Sequence, residues 1–348
     1  MSTTPTPSAT PGVVTDPVKR RPAPALPAAA LVLGLVVLGL LVLLSLAVGQ
    51  RDVAPGEVVR AFTDPGAGNP DHVAVRTVRL PRTALALLVG AALAVGGALV
   101  QTMTRNPLAE PGILGVTAGA ALAVVVTTIL LPDGSQAGRM LAACAGAAAA
   151  TVVVHAVGRA EPLRMVLAGV ALTAVLSGVS LAIRLADAEA FDSHRFWSVG
   201  SLAGREQLPL LLPALVVGAG LVAALLLSRP LDAIALGEDV AHGLGVPVLR
   251  VRVLTVVTMT VLAGVATAVA GPIAFVGLIV PHVARRVAGG SVPWLVTLSI
   301  VLGGALLVGS DVLARVLLPT GDVPVAIVTA VLGGPVLVWV VRRRLAGA

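Results

Sequence analysis

Arginine is the residue through which this chain could do most of its chemistry. Arg79-Leu80-Pro81-Arg82 places two guanidiniums three residues apart beside a proline that suits a helix start. Such a pair can share one helix face. Asp311-Val312-Leu313-Ala314-Arg315 brings a third arginine to the end of an apolar run on the same side. The planar guanidinium fork captures carboxylates bidentately. Arg79, Arg82 and Arg315 together would therefore receive acidic residues from a docking partner. The plainer alternative is interfacial snorkelling, or a local Asp311–Arg315 pair at i,i+4. No catalytic set accompanies them. Lys19 is the sole lysine, so the loop G-x-x-x-x-G-K-[ST] is absent and any ATP must bind another subunit. His72, His155, His194, His242 and His282 lack metal-ligand spacing, and no metal site is expected. Cys144 lies in an Ala-rich stretch and reads as packing.

A second informative stretch runs from Ser228 to Pro247. It is about 20 residues long, beyond the usual helix–helix link of about 2–8. Its small and polar residues predict two short helices, broken at Gly237 and at Gly243 or Gly245. A compact helical element of this kind is something a motor subunit could push against; the alternative is a simple connector.

The elements that carry these residues are apolar. The chain has 348 residues, 57% hydrophobic and 12% charged, with mean hydropathy +1.00. A soluble domain carries about 25% charged residues, so an all-α, polytopic membrane protein is predicted. About ten segments approach the roughly 20 residues a bilayer requires. They are Ala25–Val48, Thr83–Gln101, Ile113–Leu131, Arg139–Val157, Leu163–Leu185, Leu208–Leu227, Arg250–Ala270, Ile273–Val287, Trp294–Leu317 and Val323–Val341. The segment at Ile273 contains Pro281 and predicts a broken or re-entrant helix. Residues 1–24 predict a disordered, basic cytoplasmic tail. Residues 25–348 form one transmembrane domain, with an external loop at 50–82 and a cytoplasmic loop at 229–247.

The net charge of +7 does not point to nucleic acid, because the basic residues sit singly or in short clusters between apolar runs. Their excess in alternate connections predicts both termini in the cytoplasm. Asp187, Glu189, Asp192 and Asp311 fall near helix ends. An ATP-independent secondary carrier would place ionisable groups at the midplane, and that alternative is disfavoured.

At these residues the chain resembles the permease subunits of type II ATP-binding-cassette importers, the iron-siderophore, haem and vitamin B12 group. The matching segments are Arg79–Arg82, Asn106-Pro107-Leu108-Ala109-Glu110-Pro111-Gly112-Ile113-Leu114-Gly115, and Leu236-Gly237. They continue with Gly271-Pro272-Ile273-Ala274-Phe275-Val276-Gly277-Leu278-Ile279-Val280-Pro281-His282, Ala314-Arg315 and Gly333-Gly334-Pro335. The resemblance implies ten helices, a homo- or heterodimer of permeases and two cytoplasmic ATPase subunits that bind ATP and Mg. It also implies an external substrate-binding protein, and no cofactor on this chain. It implies that Arg79, Arg82 and Arg315 meet acidic residues of the binding protein. The ATPases would seat on Arg229, Leu236, Gly237, Glu238, Ala241 and Gly245. Asn106, Pro107, Gly115, Gly271, Pro272, Gly277, Pro281 and His282 would set helix breaks and packing. Iron-siderophore cargo is the expectation, with haem or vitamin B12 as the alternative. Asp322 and Ala326 depart from a family segment that often reads Glu-x-Pro-x-Gly.

Overall fold

The computed structural model describes residues 25–49, 52–64, 69–131, 134–158, 162–186, 197–205, 207–318 and 321–345. The tail at 1–24, and Asp187, Glu189, Asp192 and His194, lie outside the described residues. The rest is helical, with no strand among the described residues.

The elements are α1 (Ala25–Ala47), α2 (Pro55–Thr63), α3 (Pro70–Val73), α4 (Leu80–Met103), α5 (Val116–Leu130), α6 (Gln136–Gly158) and α7 (Pro162–Ala186). After these come α8 (Leu211–Ala235), α9 (Glu238–Gly243), α10 (Val248–Ala270), α11 (Val276–Val287), α12 (Val292–Val316) and α13 (Val325–Leu345). Each of the ten predicted segments is represented by one helix. Among the described residues, seven helical stretches are long and apolar enough to cross a membrane. The exception that matters for function is α11. Its 12 residues reach about 18 Å at 1.5 Å per residue, roughly half a bilayer core.

Two boundaries differ from the sequence expectation. The segment at 50–82 is not mainly loop. It holds α2, then α3, which passes through a π-helical stretch at Ala74–Arg79 straight into α4. The cause is Pro81. Proline has no N–H and its ring crowds the carbonyl of the preceding turn. Widening the helix by one residue per turn relieves that crowding, and the Leu80 N–H bonds to the Val75 carbonyl. Likewise α8 does not stop at Leu227. It runs through Arg229 and Pro230 to Ala235, because Leu231 and Ile234 are buried against neighbours. Packing there outweighs the helix-ending tendency of proline. Only one short helix, α9, follows, instead of two.

Helix α4 forms the centre, with α10, α11 and α12 packed around it, while α1 and α7 lie at the periphery with exposed apolar faces. The central approach depends on glycine. A Cβ on Gly90 would lie 2.3 Å from the Gly303 carbonyl of α12, and one on Gly97 would lie 1.9 Å from the Gly277 carbonyl of α11. Within lipid, small residues at such crossings allow close van der Waals packing where hydrophobic association contributes little.

Candidate functional site

At one end of α4 the three arginines converge, but not as outward-facing groups. Arg79, Arg82 and Arg315 are only 7%, 6% and 6% exposed. The expectation of guanidiniums presented to solvent is corrected on this point. The reason is Asp311, which is fully buried and too costly to leave unpaired. Arg82 donates from Nε and Nη2 to Asp311 Oδ1 at 3.0 and 2.9 Å. Arg315 donates from Nε to Oδ2 at 3.0 Å and from Nη1 and Nη2 to the carbonyl and hydroxyl of Ser45 at 2.9 and 3.0 Å. Arg82 also pairs with Asp322, beyond α12. Arg79 donates to the carbonyls of Leu46 and Ala47 at 2.7 and 2.6 Å. These are the carbonyls left open at the end of α1.

The cluster therefore ties together the ends of α1, α4 and α12 and the segment before α13. Arg82 and Arg315 share Asp311, Arg82 also holds Asp322, and the charges of Asp52 and Asp71 act on Arg79. The local Asp311–Arg315 pair is present, and the bond from Arg82 across 229 residues joins it. Sequence reading missed Ser45 and the role of Asp322. Asp322 sat in a segment already notable for its departure from the family pattern, whereas nothing marked Ser45.

Close by, α2 and α3 are linked by a part-buried set, in which His72 is buried, Glu57 half-buried and Arg60 exposed. His72 Nε2 donates to Glu57 Oε2 at 3.0 Å, and Arg60 donates to Oε1 at 2.8 Å. The His72 hydrogen bond, helped by the charge of Arg60, holds the Glu57 carboxyl below the usual carboxylate range.

At the other end of α4 lies the Asn106–Gly115 segment. Asn106 Oδ1 accepts the Leu108 N–H at 3.0 Å, a side-chain-closed turn that Pro107 stiffens. Gly115 takes φ +74°, the left-handed conformation that starts α5. Gly271 has φ +77°, and a Cβ there would lie 1.9 Å from the Trp197 carbonyl. Pro272 and Gly271 thus mark the break before α11, while Gly277 forms the α4 crossing. Pro281 is buried within α11, and His282 Nε2 faces the Arg286 guanidinium at 3.4 Å.

Beyond Ala235 the chain turns at Leu236 and at Gly237 (φ +132°) into α9 and leaves it at Gly245 (φ +76°). Ala241 is fully buried and anchors the element. Glu238 pairs with Arg252 at 2.5 Å. Arg229 is exposed in the last turns of α8. Leu236 and Leu244 are 63% and 66% exposed, with Val240 also open. These apolar side chains follow directly on the span-length helix Leu211–Ala235.

A half-open cavity of about 440 Å³ is lined by Glu110, Pro272 and Ala274 and by Thr173, Ser177 and Arg184 of α7. No group of three or more His, Cys, Asp or Glu able to hold a metal ion occurs among the described residues.

The FecCD transport family matches residues 36–343. The chain is 42% identical over 312 residues to the ferric enterobactin transport system permease protein FepD of Escherichia coli (strain K12), covering 87% of this chain and 92% of that one. It is 38% identical over 306 residues to the vitamin B12 import system permease protein BtuC of Vibrio vulnificus (strain CMCP6), covering 86% and 89%. A solved structure described as an inward-facing conformation of a metal-chelate type ABC transporter superposes with TM-score 0.78 at 27% identity, covering 91% of this chain and 99% of that one.

Proposed function

Because this chain belongs to the FecCD transport family, we propose that it carries iron(III)-siderophore complexes inward across the membrane. The chain is the permease subunit of an ATP-driven importer, a multi-pass inner-membrane protein that works with a partner permease and with separate ATPase subunits. It is not itself an enzyme. The observation that supports the cargo reading is the 42% identity, over nearly the whole chain, to a ferric enterobactin permease.

In this proposal both termini are cytoplasmic and the arginine end faces outward. An external binding protein docks there, its acidic groups drawn to the positive charge of Arg79, Arg82 and Arg315. The buried ion pairs give the docking platform its shape, since Asp311 and Asp322 already hold two of the guanidiniums. On the cytoplasmic side the ATPases, carrying ATP and Mg, seat on Arg229, Leu236, Gly237, Glu238, Ala241 and Gly245. The exposed leucines of that element form the apolar centre that a stable interface requires. The permease contributes no bond chemistry and binds no cofactor. Its task is to make different contacts in two states.

The test is uptake by proteoliposomes holding this permease, its ATPases and candidate binding proteins, with ferric enterobactin, hemin or cobalamin outside. ATP-dependent accumulation of the ferric siderophore is expected. Accumulation of hemin or cobalamin alone would overturn the cargo assignment, and uptake that continues with ATP hydrolysis blocked would overturn the importer reading.

A further inference from the structure

Two residues other than glycine adopt positive φ among the described residues: Arg105 at +51° and Phe275 at +70°. A side chain with a Cβ is disfavoured in the left-handed region. Local bonds offset part of that cost: the Arg105 N–H reaches the Thr102 carbonyl, and the Phe275 carbonyl accepts the Leu278 and Ile279 N–H groups. Each residue is also tied to a distant element by one bond. Arg105 Nη2 donates to the Ile234 carbonyl at 2.7 Å, in the last turn of α8 before α9. The Phe275 N–H donates to Glu110 Oε1 at 2.8 Å, where α11 begins.

Arg105 and Glu110 are the two ends of one short segment. Between them the chain has little freedom. Pro107 fixes its own φ, Asn106 closes the turn onto Leu108, and the Ala109 N–H bonds to the Asn106 carbonyl at 3.1 Å. The far end also reaches other elements. A Cβ on Gly333 of α13 would lie 2.6 Å from Phe275 Cβ, so Phe275 is pressed between Glu110 and α13. Glu110 itself lines the half-open cavity together with Pro272 and Ala274. A carboxylate at the start of α11 also suits the positive end of that helix.

We propose that Arg105 and Glu110 are positioning residues at the ends of a rigid strut that transmits movement of the α8–α9 element to Phe275, the neighbour of the cavity-lining Ala274. Strained backbone persists only where surrounding contacts over-determine it. Release of the bond at either end lets that end relax, which supplies the two discrete arrangements that coupling requires. The proposal rests on the reading of α9 as the seat of the ATPases, but the strut is testable without transport.

The experiment is hydrogen–deuterium exchange of the full chain in lipid nanodiscs, comparing wild type with Arg105→Ala, Glu110→Ala, Glu110→Gln and the double alanine variant. The strut predicts faster exchange in peptides covering 271–280 for both alanine variants. The expected increase is about 2- to 30-fold, the range that residues on a coupling network contribute. Glu110→Gln keeps an acceptor oxygen for the Phe275 N–H and should restore most protection. The double variant should lose no more than the worse single one. An Arg105→Ala effect confined to 100–110 and 228–236, or losses that multiply in the double variant, would overturn the strut. In proteoliposomes the alanine variants should hydrolyse ATP while moving fewer cargo molecules per ATP, and an unchanged ratio also counts against it. If a single alanine variant fails to fold, Arg105→Met and Glu110→Leu, which keep side-chain bulk but remove the donor and the acceptor, carry the same comparison. A wild type that transports nothing would sink the importer reading and leave the exchange result standing.

Discussion

The two ends of the bundle invert the usual relation between polarity and burial, and they do so in opposite ways. At the arginine end, charged groups are sealed inside: Asp311 is fully buried and Arg82 and Arg315 close over it. At the α9 end, Leu236, Val240 and Leu244 stand open. Buried ion pairs specify geometry more than they add stability, because desolvation offsets much of the Coulomb attraction. Exposed leucines add little to the fold of the lone chain. One end is therefore a framework whose carboxylate is paired within the chain, and the other is, in the proposed function, half of an interface.

Removing a charge from the complete end should cost most. Asp311→Ala leaves two buried guanidiniums without their shared carboxylate, and breaking such a buried set costs about 3–5 kcal/mol. Thermal unfolding of the purified chain should show a large fall in Tm; an unchanged Tm would mean the cluster is not structural. Replacement at the open end should behave in the reverse manner. Leu236→Asp or Leu244→Asp should leave Tm near wild type while weakening association with the ATPase subunits by about 30-fold, the equivalent of one interface hot spot of about 2 kcal/mol. A fall in Tm without loss of association would break the contrast between the ends.

The smallest effect sharpens the contrast between buried and exposed charge. Glu57, paired with His72 and Arg60, has its folded pKa lowered. Its contribution is therefore present above the ordinary carboxylate pKa of about 4.3 and is lost as pH falls through the lowered folded value. Limited proteolysis of the 52–73 segment should accelerate slightly over that acid range. Glu57→Gln should be cleaved faster at neutral pH and lose the acid-dependent step, and a variant that keeps the step would assign it to another group.

Much of the bundle was legible from residue types alone. Runs of Val, Leu, Ala and Gly of bilayer length mark helices however the chain packs, because lipid leaves no other way to satisfy a spanning backbone. Each of the ten segments is present as a helix, and Gly90, Gly97 and Gly303 lie at close helix contacts, as small residues at those spacings imply. Boundaries were less legible where proline intervened. Pro81 reads as a helix start and the predicted span before Pro230 ends at Leu227, yet both prolines lie inside continuous helical stretches, because neighbouring helices hold the chain in place and a π-turn absorbs the misfit at Pro81.

The sequence by itself determined that this protein lives in a membrane, that it carries no ATP-binding loop, and that Arg79, Arg82 and Arg315 belong to one end. Those properties follow from composition and from spacing within single helices. Only the tertiary structure decided what the arginines touch. The bond from Arg82 to Asp311 joins residues 229 apart, and the bond from Glu110 to Phe275 joins residues 165 apart. No local pattern encodes such pairs. They arise because a buried charge or amide must find a partner wherever the packed helices bring one within reach.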